Sequence, residues 1–183
     1  MQTKETMMSV KPFAITLDVG TSLANRTGSW RTLKPVYVDR LPPCNTKCPA
    51  GEQCQAWLFH AQSGNYENAW KQIIEDNPFP AVMGRVCYHT CQGACNRNGI
   101  DEPVGINAVE RFLGDYALEK GWQLPVPAAD TGKRILIVGA GPAGLSAAYQ
   151  LRRLGHAVHV VESAEAAGGM MRYGIPKYRL PRE

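Results

Sequence analysis

Six cysteines fall in two short groups and a single position, and they are the side chains best suited to bind a metal. The first group, Cys44 and Cys48, has the form C-x3-C-P. The second group, Cys87, Cys91 and Cys95, has the form C-x3-C-x3-C. Thiolates are soft ligands that suit iron–sulfur clusters and zinc. A 4Fe–4S cube takes one outer ligand per iron, so its ligands must converge from separate loops.

Zinc and plain buried thiols stay open as alternatives to an iron–sulfur cluster. Structural zinc sites favour C-x2-C pairs, and the sequence contains none. Cys54 occupies an apolar position of a predicted helix, so we expect it to be a buried structural thiol. His60 and His89 are not assigned as ligands.

A glycine-rich turn between a predicted strand and a predicted helix matches G-x-G-x-x-G. It comprises Gly139, Ala140, Gly141, Pro142, Ala143 and Gly144. In this motif the first glycine permits a tight turn, the second allows the backbone to approach a pyrophosphate, and the third allows the helix to pack closely on the strand. The free N–H groups of the helix N-terminus would then bind the pyrophosphate.

An acidic residue follows this motif at the spacing of a ribose-binding carboxylate. Glu162 ends the second predicted strand, 18 residues after Gly144, and could accept hydrogen bonds from both ribose hydroxyls. No Arg follows at once, which disfavours a 2′-phosphate at this position. The motif does not distinguish FAD from NAD, although Gly168 and Gly169 would let the backbone approach a flavin.

Hydrophobic periodicity divides the chain into a helical part and an α/β part. Apolar residues at helical spacing predict helices over 53–62, 66–74 and 104–118, with Gly121 as a stop signal. Strands are predicted over 134–138 and 157–161, with a helix over 142–155 between them, which is the opening of a parallel α/β domain. Residues 1–43 are interpreted as an extended arm with short β-like runs, 44–122 as the helical domain, 123–133 as a linker and 134–183 as the nucleotide-binding part.

Composition indicates an ordinary globular protein and excludes several classes. The chain has 183 residues, 44% hydrophobic and 20% charged, with a net charge of +4. The small excess of basic over acidic residues is spread along the chain without a cluster, so we predict no nucleic-acid partner. No apolar run is long enough to span a membrane, and residues 1–11 lack a secretory signal, so the cytoplasm is the expected compartment. Disulfides are disfavoured there.

The order of these motifs resembles the small (beta) subunit family of glutamate synthase and the amino-terminal module of dihydropyrimidine dehydrogenase. The similarity runs over residues 41–183. It is carried by the sequence segments PCNTKCP, GRVC, CNR, GAGPAG and GGMMRYGIPKYRLP. The resemblance implies an α-helical 4Fe–4S domain followed by the first β-α-β unit of a Rossmann-like FAD-binding α/β domain.

The resemblance also implies site residues. Cys48, Cys87 and Cys91 fall on ligands of one 4Fe–4S cluster, with Glu110 at the position of a fourth, non-cysteine ligand. Cys44 and Cys95 fall on ligands of a second cluster. Positions expected to contact FAD are Gly139 to Ala143, Glu162, Gly169, Met170 and Arg179.

This sequence departs from the family pattern in three ways. The upstream C-x2-C is absent, and three residues rather than five separate Cys87 from Cys91. We therefore expect a single cluster, rather than two, with its ligands drawn from the five grouped cysteines. The sequence does not decide which four residues serve as ligands. The chain also stops at Glu183, after one β-α-β unit. We expect a fragment of a longer protein, or a chain completed by a partner subunit.

The function that this resemblance implies is electron transfer. NAD(P)H, bound outside this segment, would reduce FAD, and the cluster would relay electrons to a larger catalytic subunit or a ferredoxin-type partner. The residues that carry out hydride transfer are not recognisable. The alternatives are the reductase module of a 2-oxoacid:ferredoxin oxidoreductase or another complex, and a zinc-stabilised docking domain without a redox role.

Overall fold

The structure, a computed structural model, describes residues 41–125 and 128–182. The β-like runs predicted at 13–17 and 36–38, and most of the predicted arm, lie outside the described residues. In the part of the chain that is described, no helix is both long and apolar enough to cross a membrane.

The first part of the described chain is helical. Its elements are α1 (Pro43–Lys47), α2 (Cys54–Gln62), α3 (Tyr66–Asp76), α4 (Pro80–Val86), α5 (Thr90–Gly93), a short 3-10 helix (Asn96–Gly99) and α6 (Ile106–Lys120).

The three long helices lie where hydrophobic periodicity predicts them, and the short ones do not follow from it. Helix α6 ends at Gly121, which adopts the left-handed conformation with φ of 64°, as a glycine stop signal requires. Helices α1 and α4 each begin at a proline, a residue suited to a first turn because its missing N–H is not needed there. Pro80 therefore starts a new helix, after α3 has ended at Asp76.

The helical core is built from α2, α3 and α6. Trp57, Ile73 and Leu113 are fully buried and pack together with Ala69 and Ile106. Burial of side chains of this size contributes about 1.5–3 kcal/mol each. This core fixes the three long helices, on which the cysteine-bearing loops are mounted.

Helices α4 and α6 cross at very close range because each presents a glycine to the other. A Cβ at Gly84 would meet the backbone of Arg111, and a Cβ at Gly114 would meet the backbone of Ala81. A two-pronged ion pair spans the same crossing: the Arg85 guanidinium lies 2.6 and 2.9 Å from the two carboxylate oxygens of Asp115. The crossing sets the position of Cys87, the residue after α4, relative to α6.

The second part of the chain is a β-α-β unit. Strands β1 (Arg134–Val138) and β2 (Ala157–Val161) pair in parallel, with Arg134 opposite Ala157 and Val138 opposite Val161. Helix α7 (Pro142–Arg153) connects them, and a short helix α8 (Met170–Tyr173) follows. The two predicted strands are confirmed, and α7 ends two residues before the predicted boundary.

Helix α7 packs against the helical part. The side chains of Gln150 and Arg153 both donate to the carbonyl of Glu75 at the end of α3, each at 2.8 Å. Tyr149 packs against a small apolar cluster formed by Trp70, Ile74 and Ala117. These contacts bring the first turn of α7 toward the cysteine-bearing loops.

Candidate cluster site and nucleotide loop

One cavity of about 410 Å³ brings together predicted ligands from four separate segments. Cys48 follows α1, Cys87 follows α4, Cys91 lies in α5 and Glu110 lies in α6, and all four line this cavity. The structure therefore brings together the four residues that the family resemblance assigns to a single cluster.

The ionisable side chains that line this cavity are thiols and carboxyls. Besides the thiols it includes Glu52, Asp76 and Glu110, and no Lys, Arg or His is among the residues that line it. Burial favours the protonated forms of Glu52 and Glu110, because a carboxylate is costly there without a positive neighbour. A cationic metal centre would supply that positive neighbour, so this donor set fits one.

The four donors are electrostatic neighbours. Burial, and then the charges of Glu110, Cys91 and Cys48, raise the pKa of Cys87, while burial and then the charges of Glu52, Cys48 and Cys91 raise that of Glu110. Among the described residues, no three such side chains converge as ligands of one metal ion. The outer ligands of a cubane stand at its separate corners, so they surround it without touching one another.

Backbone N–H groups favour the thiolate, the ligand form, at Cys48 and Cys87, although at Cys87 burial outweighs this contribution and raises the pKa of the thiol. The N–H of His89 points to the Sγ of Cys87 at 3.4 Å, and His89 adopts a left-handed φ of 57° to turn the chain there. The turn of residues 50–52, with Gly51 at φ of 75°, directs its N–H groups toward Cys48 and lowers the pKa of that thiol.

Cys54 also lines the cavity, which the sequence analysis did not anticipate. It is buried, as expected, but it also lies beside two of the predicted ligands. A hydrogen bond with the Cys54 thiol lowers the pKa of Cys48 to about 6 and that of Cys91 to about 7. The same contacts, together with burial, raise the pKa of Cys54.

A buried amide links two carboxylates at the edge of the cavity. The Nδ2 of Asn77 donates to Glu52 and to Glu110, both at 2.9 Å. Burial raises the pKa of Glu52 to about 7, and burial together with the charge of Glu52 raises the pKa of Glu110 to about 9. Sequence reasoning missed Glu52 and Asn77, because loop residues of common polar types carry no periodic signal.

Cys44 and Cys95 do not line the cavity. Cys44 lies near both Cys91 and Cys95, and burial raises the pKa of its thiol. The structure therefore sorts the five grouped cysteines into three at the cavity and two beside it.

The nucleotide loop has the local geometry that the glycine motif predicts. Gly139 adopts φ of 100°, which favours glycine. A Cβ at Gly144 would meet the carbonyl oxygen of Gly139, so only glycine lets α7 pack this closely on β1. At Gly169, φ is 47° and a Cβ would lie 2.8 Å from the Cα of Gly141.

The predicted ribose-binding carboxylate lies at the same loop. Glu162 accepts the N–H of Ala164 at 2.9 Å and that of Ala140 at 2.6 Å. These two hydrogen bonds lower the pKa of Glu162, and the bond from Ala164 has the larger effect. They hold an ionised carboxylate at the tip of β2, next to the turn that precedes α7.

The remaining predicted FAD-contacting positions lie after β2. Met170 begins α8 and is largely exposed. Arg179 donates from Nε to the carbonyl of Arg85 at 3.2 Å, which places it by the end of α4. The N–H of Gly168 donates to the carbonyl of Ala140 at 2.7 Å, so the segment before α8 returns to the glycine-rich turn.

The cavity and the nucleotide loop are neighbours. Pro142 and Ser146, on the first turns of α7, line the cavity together with the cysteines. The same first turns carry the free N–H groups that favour an anionic phosphate. One helix end thus borders both candidate cofactor sites.

Two family models match this chain. Residues 38–122 match dihydropyrimidine dehydrogenase domain II, a 4Fe–4S cluster domain, and residues 137–180 match an NAD(P)-binding Rossmann-like domain. The resemblance to the glutamate synthase small-chain family is confirmed. The fold class of a helical iron–sulfur domain followed by the start of a Rossmann-like domain is confirmed with it.

Several known proteins are similar to this chain over most of its length. A glutamate synthase [NADH] of Schizosaccharomyces pombe is 38% identical over 86% of this chain and 8% of its own length. The glutamate synthase [NADPH] small chain of Bacillus subtilis is 40% identical over 74% of this chain and 28% of its own length. The beta subunit of an NADP(+)-dependent formate dehydrogenase of Moorella thermoacetica is 38% identical over 77% of this chain and 23% of its own length. The chain therefore spans less than a third of each of these relatives.

Proposed function

We propose that this chain is an electron-transfer module in which one 4Fe–4S cluster lies at the cavity and relays electrons between FAD and a partner subunit. The observation that carries the proposal is the cavity lined by thiols and carboxyls, whose wall includes the first turn of the nucleotide-binding helix. A cluster held there would be separated from a nucleotide cofactor only by the end of α7.

In this proposal Cys48, Cys87, Cys91 and Glu110 hold the cluster, which supplies one-electron chemistry when bound. Ligation requires deprotonated donors. The contacts that lower the pKa of Cys48 and Cys91 meet that need. Glu110 carries a raised pKa without a metal, so a positive centre is what would ionise it.

FAD is proposed at the glycine-rich turn. Its pyrophosphate would lie on the N-terminus of α7 and its adenosine ribose by Glu162. Gly169 packs against Gly141 with no room for a Cβ between them, which holds the segment before α8 against the turn proposed to bind the pyrophosphate. NAD(P)H is proposed to bind outside this segment, as the electron donor.

The partner is proposed to be a larger catalytic subunit. If the complex is a glutamate synthase, the chemistry on glutamine and 2-oxoglutarate belongs to that subunit. The similarity to a formate dehydrogenase beta subunit favours a second candidate, a reductase module of another oxidoreductase complex. The two candidates share the cluster and the flavin and differ only in the partner.

The experiment is an anaerobic reduction of the purified chain, with FAD added. Reduced FAD should give a one-electron reduced cluster, seen by electron paramagnetic resonance, in the parent but not in Cys48→Ser. A cluster that forms but never accepts electrons from reduced FAD would contradict the relay. Zinc in place of iron, without sulfide, would favour the docking-domain alternative instead.

A further inference from the structure

Asn77 lies where three of the segments that form the cavity meet. It directly follows α3, is 4% exposed and lines the cavity. Its backbone N–H donates to the carbonyl of Ile73 at 2.9 Å and completes the last turn of α3. Because the helix uses only the backbone of Asn77, the side chain is left to bind other segments.

The side-chain amide of Asn77 has one possible orientation. The N–H of Phe79, just before α4, donates to its Oδ1 at 3.0 Å. A backbone N–H can only donate, so the side-chain atom that accepts it must be the oxygen. The nitrogen, Nδ2, therefore lies on the side of the carboxyl groups, 2.9 Å from Oε1 of Glu52 and 2.9 Å from Oε1 of Glu110. Each of its two hydrogens serves one carboxyl group.

These contacts leave one oxygen of Glu110 for a metal. Within the part of the chain that the structure describes, the bond from Asn77 is the one hydrogen bond that the Glu110 side chain makes, and it goes to Oε1. Oε2 is therefore the oxygen that can bind a metal at the cavity. An amide N–H can donate to a carboxyl oxygen in either protonation state, so this orientation does not depend on the titration of Glu110.

We propose that Asn77 is a positioning residue that holds Oε1 of Glu110, so that Oε2 binds one iron of the cluster. This inference rests on the proposed function, because it requires a cluster at the cavity with Glu110 among its ligands. A carboxylate offers two equivalent oxygens, and a fixed donor to one of them selects the other for the metal. The second hydrogen bond of Asn77 fixes the amide against Glu52, in the loop that follows Cys48. Asn77 thus keeps its place when Glu110 turns.

Reversing this hydrogen bond distinguishes an orienting role from a packing role. In Glu110→Gln, the oxygen of the new amide would accept the bond from Asn77, and its nitrogen, which has no lone pair for iron, would take the ligand position. In the double variant Asn77→Asp/Glu110→Gln, the new carboxylate can accept from that nitrogen, so the amide turns over and offers its oxygen to iron. The double variant keeps an acceptor for Phe79 and the net charge of the parent.

The test measures iron and acid-labile sulfide in anaerobically purified variants, with electron paramagnetic resonance of the oxidised proteins. A cube that lacks one outer ligand loses the iron at that corner first. The three-iron cluster that remains is paramagnetic when oxidised, whereas the oxidised four-iron cube is not. We expect Asn77→Asp and Glu110→Gln each to hold about three irons per four sulfides and to show this signal, and the double variant to return to about four irons.

The control is Asn65→Asp, the same chemical change at the other end of α3. Asn65 is exposed and its side chain makes no hydrogen bond to the start of the helix. Its iron and sulfide should equal those of the parent.

Two results would overturn the proposal. An intact four-iron cluster in Asn77→Asp or in Glu110→Gln would show that ligation does not depend on the orientation of residue 110. A double variant that is as depleted of iron as the single variants, or more so, would give Asn77 a role in folding only. A parent that carries no iron or sulfide would instead refute the proposed function, and this inference with it.

Discussion

At the scale of single residues, the pair of carboxylates joined by Asn77 makes stability depend on pH. The pKa of Glu52 in the folded chain, about 7, lies above its ordinary value. Between the pKa of Glu52 in the unfolded chain, about 4.3, and its pKa in the folded chain, the folded state therefore binds more protons than the unfolded state. The contribution of protonated Glu52 to the unfolding free energy is fully present below about pH 4.3 and is lost as the pH rises through about 7.

Glu52→Gln should flatten this decline in the cluster-free chain. The parent is expected to lose up to about 1.4 kcal/mol of unfolding free energy per pH unit from this group between pH 5 and 7. Urea unfolding at pH 5, 6 and 7 measures the slope. Glu102→Gln makes the same change in charge on an exposed loop and serves as the control. An unchanged slope in Glu52→Gln would show that Glu52 is not held protonated by burial.

At the scale of elements, the crossing of α4 and α6 controls the geometry of the site. Gly114 faces the backbone of Ala81, so Gly114→Ala must push the helices apart. Overpacking of this kind costs about 1–3 kcal/mol. Because Cys87 follows α4 and Glu110 lies on α6, the same displacement should lower the amount of bound iron.

The control for this helix is Gly105→Ala, at the start of α6. A Cβ there meets only the Cβ of Ala108 at 3.9 Å, an ordinary contact. Thermal unfolding and iron content of both variants give the comparison. If Gly114→Ala is as stable and as rich in iron as Gly105→Ala, the close crossing does not determine the site.

A second prediction at this scale concerns the packing of α7 on β1. Gly144→Ala places a Cβ against the carbonyl oxygen of Gly139 and should displace the first turn of α7. We expect FAD affinity to fall at least tenfold, as measured by fluorescence titration. Ala147→Gly, at an exposed position of the same helix, controls for a general loss of helix stability. Equal affinities in the two variants would contradict binding at this turn.

Several helices and both strands could be predicted from the sequence. The other elements could not, either because they are too short to show a period or because they depend on tertiary packing. Helices α2, α3 and α6 bury one face, so their apolar spacing is visible, and β1, α7 and β2 follow from one motif. Helices α1, α4 and α5 span 4 to 7 residues, too short for a period to show. The glycine contacts that join α4 to α6, and the position of Cys54 beside two other thiols, depend on tertiary packing that no local pattern records.

At the scale of the whole molecule, a cluster at the cavity would join segments distant in sequence. Its proposed ligands follow α1 and α4 and lie in α5 and α6, so binding should stabilise the helical part as a unit. A group that binds only the folded state raises the unfolding free energy by mass action. We expect the urea midpoint, followed by tryptophan fluorescence, to fall when a chelator removes iron. A midpoint that does not change would place the metal outside the folded core.

The central claim is one 4Fe–4S cluster held at the cavity, and metal analysis tests it most directly. Iron, acid-labile sulfide and zinc would be measured per chain in anaerobically purified parent, Cys48→Ser and Cys95→Ser. The account predicts about four irons and four sulfides in the parent, a large loss in Cys48→Ser and retention in Cys95→Ser, since Cys95 lies beside the cavity. Equal loss in both variants, or zinc without sulfide in the parent, would contradict it.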